Sequence, residues 1–222
     1  MIQALIFDFD GLILDTEVPD LQSWREIYLE YDCTLPMSAW AASLGGSLDL
    51  FDPYEYLESQ LERSVDREAI RAKKRQRETK LIEAQPILPG VREYIMDAER
   101  LGLKLGVASS SSRSWVTGHL SRLGLLSYFH CIQCADDVKR TKPDPDLYLS
   151  ALDELGLRAN QAITFEDSPN GILAAKRAGL FCVAVPNPVT RQLSLHQADL
   201  QLTSLAELPL EKLLLKVQRM RW

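Results

Sequence analysis

Residues 2–12 read IQALIFDFDGL, an apolar run that ends in two aspartates and a glycine. A short apolar run without polar alternation, closed by a turn signal, is typical of a strand buried on both faces of a parallel sheet. Five more runs of this kind follow at residues 103–108, 128–134, 162–165, 181–185 and 199–202. Helical stretches separate these runs, so the sequence predicts a doubly wound α/β sheet.

Helix boundaries in this plan are marked by capping residues and glycines. Asp144 before Pro145 and Ser168 before Pro169 are predicted N-caps, because proline is favoured in the first helical turn. The predicted helix ends are Gly124, Gly156 and Gly179.

The connection between the first two strands is far longer than an ordinary crossover. Residues 16–85 contain no convincing strand, and their apolar residues recur at helical spacing. One predicted helical face carries Trp24, Ile27, Tyr28 and Tyr31, and another carries Leu57, Leu61 and Val65. We therefore expect a helical insert at 16–85 that packs as its own small domain, within a core made of 1–15 and 86–222.

Composition excludes several classes of protein. The 222 residues carry a formal net charge of −6, with 25% charged and 46% hydrophobic residues, which disfavours disorder and an electrostatic grip on nucleic acid. No apolar run reaches the roughly 18–20 residues of a membrane span, and residues 1–10 do not resemble a signal peptide. A cytoplasmic protein without a membrane partner is the expectation.

Cys131 and Cys134 form a C-x-x-C, but residues three apart on a strand face opposite sides, so we expect buried cysteines and no metal site.

Ligands of open α/β sheets bind outside the carboxyl ends of the strands, so the residues directly after each strand are the candidates. They are Asp8, Asp10, Ser109, Ser110, Lys142, Glu166 and Asp167. Four carboxylates at one sheet edge repel one another by on the order of 4 kcal/mol per close pair. A hard divalent cation held by oxygen ligands relieves this repulsion, which favours Mg²⁺ on a set drawn from Asp8, Asp10, Glu166 and Asp167.

A cation and a lysine beside a serine hydroxyl and free amides also describe a phosphate site. Asp8 is the predicted nucleophile, which forms an aspartyl-phosphate, and Asp10 is the predicted general acid and base. Ser109, the Ser110 amide and Lys142 are expected to bind the phosphoryl oxygens. No nucleotide-binding glycine motif, zinc-binding helix motif or G-x-S-x-G elbow occurs, and three scattered histidines make a Ser-His-Asp triad improbable.

Four segments together resemble the motifs of the haloacid dehalogenase-like hydrolase superfamily. They are residues 8–12 (DFDGL), 107–109 (VAS), 141–145 (TKPDP) and 165–171 (FEDSPNG). The resemblance is closest to the beta-phosphoglucomutase and phosphoglycolate phosphatase subgroup, with residues 15–17 similar to the hinge that enters a helical cap. It implies a Rossmann-like core, Mg²⁺, an aspartyl-phosphate and the same residue roles.

Within that family, Asp10 together with Glu166 and Asp167 favours phosphoryl transfer over dehalogenation. Asp20 stands where the mutases of this subgroup carry a hinge histidine, and residues 44–49 contain no arginine for a second phosphate. The prediction is therefore a phosphatase that acts on a small phosphorylated metabolite, as a monomer or weak homodimer. A phosphosugar mutase and a catalytically inactive binding protein remain the alternatives. The basic run Arg71–Lys80 is either a solvated helix face or an attraction for an anionic substrate.

Overall fold

The computed structural model describes residues 1–44 and 51–220. One parallel sheet has the strands β1 Ala4–Phe7, β2 Lys104–Ala108, β3 Cys131–Gln133, β4 Ala162–Glu166, β5 Phe181–Ala184 and β6 Leu200–Gln201. The strand order is β3-β2-β1-β4-β5-β6. Every strand falls on one of the six predicted apolar runs, and the doubly wound α/β fold is confirmed.

The described helices are α1 Glu17–Glu30, α2 Met37–Leu44, α3 Pro53–Leu61, α4 Arg67–Glu83, α5 Val91–Arg100, α6 Arg113–Arg122, α7 Asp146–Leu155, α8 Pro169–Arg177 and α9 Leu210–Met220. The predicted cap at Ser168 is confirmed, because its hydroxyl accepts from the Gly171 amide at 3.2 Å. The predicted cap at Asp144 is wrong. The Asp144 amide donates to the Thr141 carbonyl, so a turn occupies this segment and the N-cap is Pro145.

Side chains on the two faces of the sheet belong to two separate apolar clusters. Leu5 and Phe7 of β1 point toward α5, α6 and α9, whereas Ala4 and Ile6 point toward α7 and α8. Cys131 and Cys134 lie in different clusters, as the strand alternation predicts, and all four cysteines are buried and free. Both faces of the sheet are therefore covered, and the open edge at the carboxyl ends of the strands is left for a site.

The four helices α1–α4 share a third apolar cluster. Its buried members are Leu21, Trp24, Ile27, Tyr28, Cys33, Leu35, Trp40, Leu57, Ile70 and Val189. Val189 comes from the loop after β5, so this cluster also packs against a loop of the sheet. Val65 was predicted on the same helix face as Leu57, and this is wrong. The helix α3 ends at Leu61 because Glu62 takes a left-handed conformation (φ 53°), and Val65 packs on the cluster from the following loop.

Among the described helices, none combines the length and the apolar character that a membrane crossing requires. Of the segment 44–49, in which an arginine for a second phosphate is absent, residues 45–49 lie outside the described residues. The domain division at 16–85 stays a prediction.

Candidate active site

The site lies where the strand order reverses. Chain order runs outward from β1 to β2 and β3 on one side and to β4 and β5 on the other, which makes β1 the switch point. Phe7 of β1 is paired with Phe165 of β4, and the Asp8 amide donates to the Phe165 carbonyl at 3.0 Å. This register sets Asp8 beside Glu166, so residues far apart in sequence meet at one edge.

A buried lysine bridges two of the predicted carboxylates. Lys142 Nζ lies 2.5 Å from Asp8 Oδ1 and 2.6 Å from Glu166 Oε1, with only 6% of the lysine side chain exposed. Tyr148 also donates its hydroxyl to Glu166. Burial opposes the charge of Lys142, but Asp8 and Glu166 outweigh it and hold the pKa of the ammonium above its usual value. Lys142 is therefore a cation fixed between two buried carboxyl groups.

Asp8, Glu166 and Asp167 form a compact oxygen cluster. One carboxylate oxygen from each lies within 4.8 Å of the others, and all three residues are buried. Burial raises the pKa of Asp8 to about 8 against the opposing effect of Lys142, and Glu166 and Asp10 add to the rise. Burial likewise raises the pKa of Asp167 well above its usual range, with Asp8 and Glu166 contributing. One lysine does not neutralise three carboxylates, so the cluster favours a second positive charge. We call Asp8, Lys142, Glu166 and Asp167 the floor of the site.

An orphaned oxygen on the floor provides a test of whether a cation fits. Glu166 Oε2 is buried and has no hydrogen-bond partner within residues 1–44 and 51–220. A buried carboxylate oxygen without a donor carries a desolvation penalty that a cation or its bound water relieves. The donor set is made of oxygen atoms alone, which is the chemistry of a hard divalent ion. The residues of the floor therefore fit such an ion.

Two glycines allow the floor to assemble. Gly11 has φ 78°, and a Cβ built there meets Asp167 Oδ2 at 2.4 Å. A Cβ at Gly171, in the first turn of α8, meets Glu166 Oε2 at 1.9 Å. A side chain at either position displaces a carboxylate of the floor. This steric conflict explains why both positions are glycine.

Asn187 is a residue of the site that the sequence reasoning missed. Its Nδ2 donates to Asp167 Oδ2 at 2.7 Å, and its Oδ1 accepts from the amides of Val189 and Thr190. These two amides fix the side-chain orientation, so Asn187 holds Asp167 in place. A signal was present, because Asn187 follows β5 just as the other site residues follow their strands.

Asp10 lies half-buried beside the floor with different partners. Ser111 Oγ donates to Asp10 Oδ2 at 2.7 Å and Ser109 Oγ at 3.3 Å, and Trp115 Nε1 donates to Oδ1 at 2.9 Å. Asp10 does not belong to the group of three carboxylates, and Ser110 is exposed. We call Asp10, Ser109, Ser111 and Trp115 the rim. Neither Ser111 nor Trp115 was among the predicted site residues.

The basic run on α4 divides between two helix faces. Lys73, Lys74 and Arg77 pair with carboxylates, and the half-buried Lys74 bridges Asp20 of α1 and Glu78. The remaining three, Arg71, Arg75 and Lys80, are exposed on the other face of the same helix. Half of the run is therefore used to hold α1 against α4.

Comparison with known proteins agrees with this geometry. The sequence profile of the family "Haloacid dehalogenase-like hydrolase" matches residues 5–185. The Bacillus subtilis protein named "Putative phosphatase YhcW" is 47% identical over 96% of this chain and 97% of its own. Validoxylamine A 7'-phosphate phosphatase of Streptomyces hygroscopicus subsp. limoneus is 31% identical over 93% of this chain and 96% of its own. Among solved structures, CbbY from Rhodobacter sphaeroides in complex with phosphate has a TM-score of 0.69 at 30% identity, and covers 93% of this chain and 96% of that one.

The doubly wound parallel sheet carries a floor of carboxylates and a lysine at its switch point, and relatives matched over nearly the full chain carry phosphatase names. The chain belongs to the haloacid dehalogenase-like hydrolase family. The predicted family and enzyme class are confirmed.

Proposed function

We propose that this protein is a Mg²⁺-dependent phosphatase that hydrolyses a small phosphorylated metabolite, such as a sugar phosphate, through an aspartyl-phosphate on Asp8. Relatives that carry phosphatase names over nearly the full chain support the reaction class. Two further relatives are named "Phosphorylated carbohydrates phosphatase" and "Hexitol phosphatase B", which supports the substrate class.

The observation that carries the proposal is the position of Lys142. Its ammonium contacts both Asp8 and Glu166 in a buried setting, where an unneeded ion pair is costly. A purely structural pair does not require a third buried carboxylate, yet Asp167 lies in the same cluster. A surplus of buried acids around one lysine is the arrangement expected where a cation and a phosphoryl group are to bind.

The reaction proceeds in two steps that balance in protons and charge. In the first, a carboxylate oxygen of Asp8 attacks phosphorus, the bond to the substrate oxygen breaks, and Asp10 gives its proton to that oxygen. In the second, water attacks phosphorus, Asp10 takes a proton from that water, and phosphate leaves Asp8. Lys142 and the Ser109 hydroxyl, with the Ser110 amide, hold the phosphoryl oxygens.

Asp8, Glu166 and Asp167 would hold Mg²⁺, with Asp10 as a further candidate ligand from the sequence. When bound, the ion supplies positive charge that offsets the repulsion between an anionic nucleophile and an anionic phosphate. Lys142 of the floor and Asn187 beside it hold these carboxylates in place.

The helical segment 16–85 is proposed as the cap over a core of 1–15 and 86–222. Its own apolar cluster supports a separate unit, and Val189 links that cluster to the loop that carries Asn187. Closure of a cap excludes water from the first step and opening admits it for the second.

The test is phosphate release from p-nitrophenyl phosphate, with Mg²⁺ and with excess EDTA. We expect activity only with Mg²⁺, its loss in Asp8→Asn, and a phosphorylated Asp8 in the wild type after acid quench and mass spectrometry. Asp153→Asn, on the exposed side of α7, is the matched control and is expected to keep full activity. Activity that survives EDTA or Asp8→Asn contradicts the proposal. Interconversion of a hexose phosphate that outpaces phosphate release favours the mutase instead.

A further inference from the structure

Three donors hold the carboxylate of Asp10, and they are divided between its two oxygens. Oδ2 accepts from the hydroxyls of Ser109 and Ser111, whereas Oδ1 accepts from the indole N–H of Trp115. Trp115 lies half-buried in the first turn of α6, with its ring in edge contact with His119 at a centroid distance of 4.4 Å. The indole is therefore held by packing as well as by its hydrogen bond.

The serine and tryptophan donors differ in whether they can turn to another hydrogen-bond partner. A serine hydroxyl rotates and both donates and accepts, whereas an indole N–H only donates. Ser109 Oγ already accepts from the Ser111 amide at 3.0 Å, so a rotation of its hydrogen from Asp10 toward a phosphoryl oxygen leaves its own position unchanged. Binding of a phosphoryl group thus removes a donor from Oδ2 but none from Oδ1.

We propose that Trp115 is the positioning residue for Asp10, and that its N–H reserves Oδ1 so that Oδ2 carries the transferable proton. This rests on the proposed function, in which Asp10 is the general acid and base. The proton leaves Oδ2 for the departing oxygen as the phosphorus–oxygen bond breaks, and a proton of the attacking water returns to Oδ2 in the second step. Trp115 keeps its own proton throughout and touches neither substrate nor water in this scheme.

A positioning role predicts a loss that depends on the leaving group. An alkoxide leaves only with a proton, whereas p-nitrophenolate is weakly basic and leaves without one. A tryptophan that served packing alone would affect both substrates equally. The ratio of the two first-turnover rates therefore separates positioning of Asp10 from general destabilisation of the site.

The experiment is a rapid-quench measurement of the first turnover with glycerol 2-phosphate and with p-nitrophenyl phosphate. Trp115→Phe removes the donor and keeps an aromatic ring. We expect the alkyl phosphate rate to fall about 10- to 100-fold, part of the usual contribution of a general acid. The aryl phosphate rate should change less than about threefold, and KM should change little for both. An equal loss on both substrates, or no loss on either, overturns the proposal.

Two control variants distinguish a failure of the role proposed for Asp10 from a failure of the inference on Trp115. Trp24→Phe makes the same substitution in the apolar cluster of α1–α4 and should leave the wild-type ratio unchanged. If Asp10→Asn does not lower the ratio, the role of Asp10 in the proposed function fails. If Asp10→Asn lowers it and Trp115→Phe does not, only the inference on Trp115 fails.

A second variant covers the case in which Trp115→Phe does not fold. Protein made with benzothienylalanine in place of tryptophan has a ring of the same shape in which sulfur replaces the N–H. A lowered alkyl-to-aryl ratio in this protein supports the proposal, and an unchanged ratio overturns it.

Discussion

Asp8 and Asp10 are two residues apart, and the floor and the rim to which they belong are held in opposite ways. The floor is buried and ionic, with Lys142 between Asp8 and Glu166. The rim is half-buried apart from the buried Ser109, and it uses neutral donors, two hydroxyls and an indole, around Asp10. The difference suits different chemistry, because a nucleophile and metal ligands need a fixed charge, whereas an acid and base must lose and regain a proton.

The largest effect is expected from removal of the cation of the floor. Lys142→Met leaves Asp8 and Glu166 buried without their shared partner, and loss of one member of a buried pair costs about 3–5 kcal/mol. Activity should fall by on the order of 10²- to 10³-fold because the phosphoryl oxygens lose a charged donor. Urea unfolding in EDTA and steady-state kinetics with Mg²⁺ measure the two effects. Lys139→Met, at an exposed position nearby, should change neither.

Mg²⁺ is expected to stabilise the protein through the floor. At a concentration of 100 times Kd the gain is about 2.7 kcal/mol, which raises Tm by about 5–10 °C in a chain of this size. Calorimetry with Mg²⁺ and with EDTA measures it, and Asp167→Asn should abolish it. A shift of equal size in Asp167→Asn would show that the ion binds elsewhere.

The rise in Tm that Mg²⁺ produces in the wild type should also depend on pH. The folded-state pKa of Asp8 is raised to about 8 by burial, so metal-free protein loses stability as pH rises through that value and Asp8 ionises. Mg²⁺ binds the ionised form and releases the proton, so the Tm difference should be larger at pH 8.5 than at pH 6. A difference that shrinks with rising pH would contradict a carboxylate floor.

A smaller effect is expected from a methyl group added at Gly171, where the backbone lies against the floor. Gly171→Ala places a methyl group on Glu166 Oε2, and such overpacking costs about 1–3 kcal/mol. Gly118→Ala is the matched control, because its Cβ has no atom within 4 Å and α6 should gain about 1 kcal/mol from alanine. Thermal unfolding should thus move in opposite directions for the two variants.

The smallest effect is expected from an exposed ion pair. Lys73 contacts Glu30 at 3.0 Å, within hydrogen-bond distance like the Lys142 pairs, but its side chain is 58% exposed. Lys73→Ala should therefore change the free energy of unfolding by less than about 1 kcal/mol and leave kcat unchanged. A loss as large as that of Lys142→Met would mean that burial does not explain the difference between the two lysines.

Much of the floor was predictable from sequence, because strand ends in a parallel sheet meet at one edge. Each residue of the floor follows a strand or the loop after it: Asp8, Lys142, Glu166 and Asp167. Their charges are also complementary, because the lysine offsets the repulsion between the carboxylates. Asn187 obeys the same rule and could have been found. Trp115 could not, since it reaches Asp10 from the first turn of α6, and the placement of α6 depends on tertiary contacts such as that of His119 with Phe9.

Local features of the chain determined where strands begin, which glycines end helices, and which carboxylates gather, because these depend on residue type, spacing and the parallel topology. The failures at Asp144 and Val65 were local too, since a turn hydrogen bond and a left-handed residue ended the regular pattern early. The tertiary structure alone decided the division into an ionic floor and a hydrogen-bonded rim. Burial and the approach of α6 set the partners of each aspartate, and neither quantity is encoded in the two-residue spacing that Asp8 and Asp10 share.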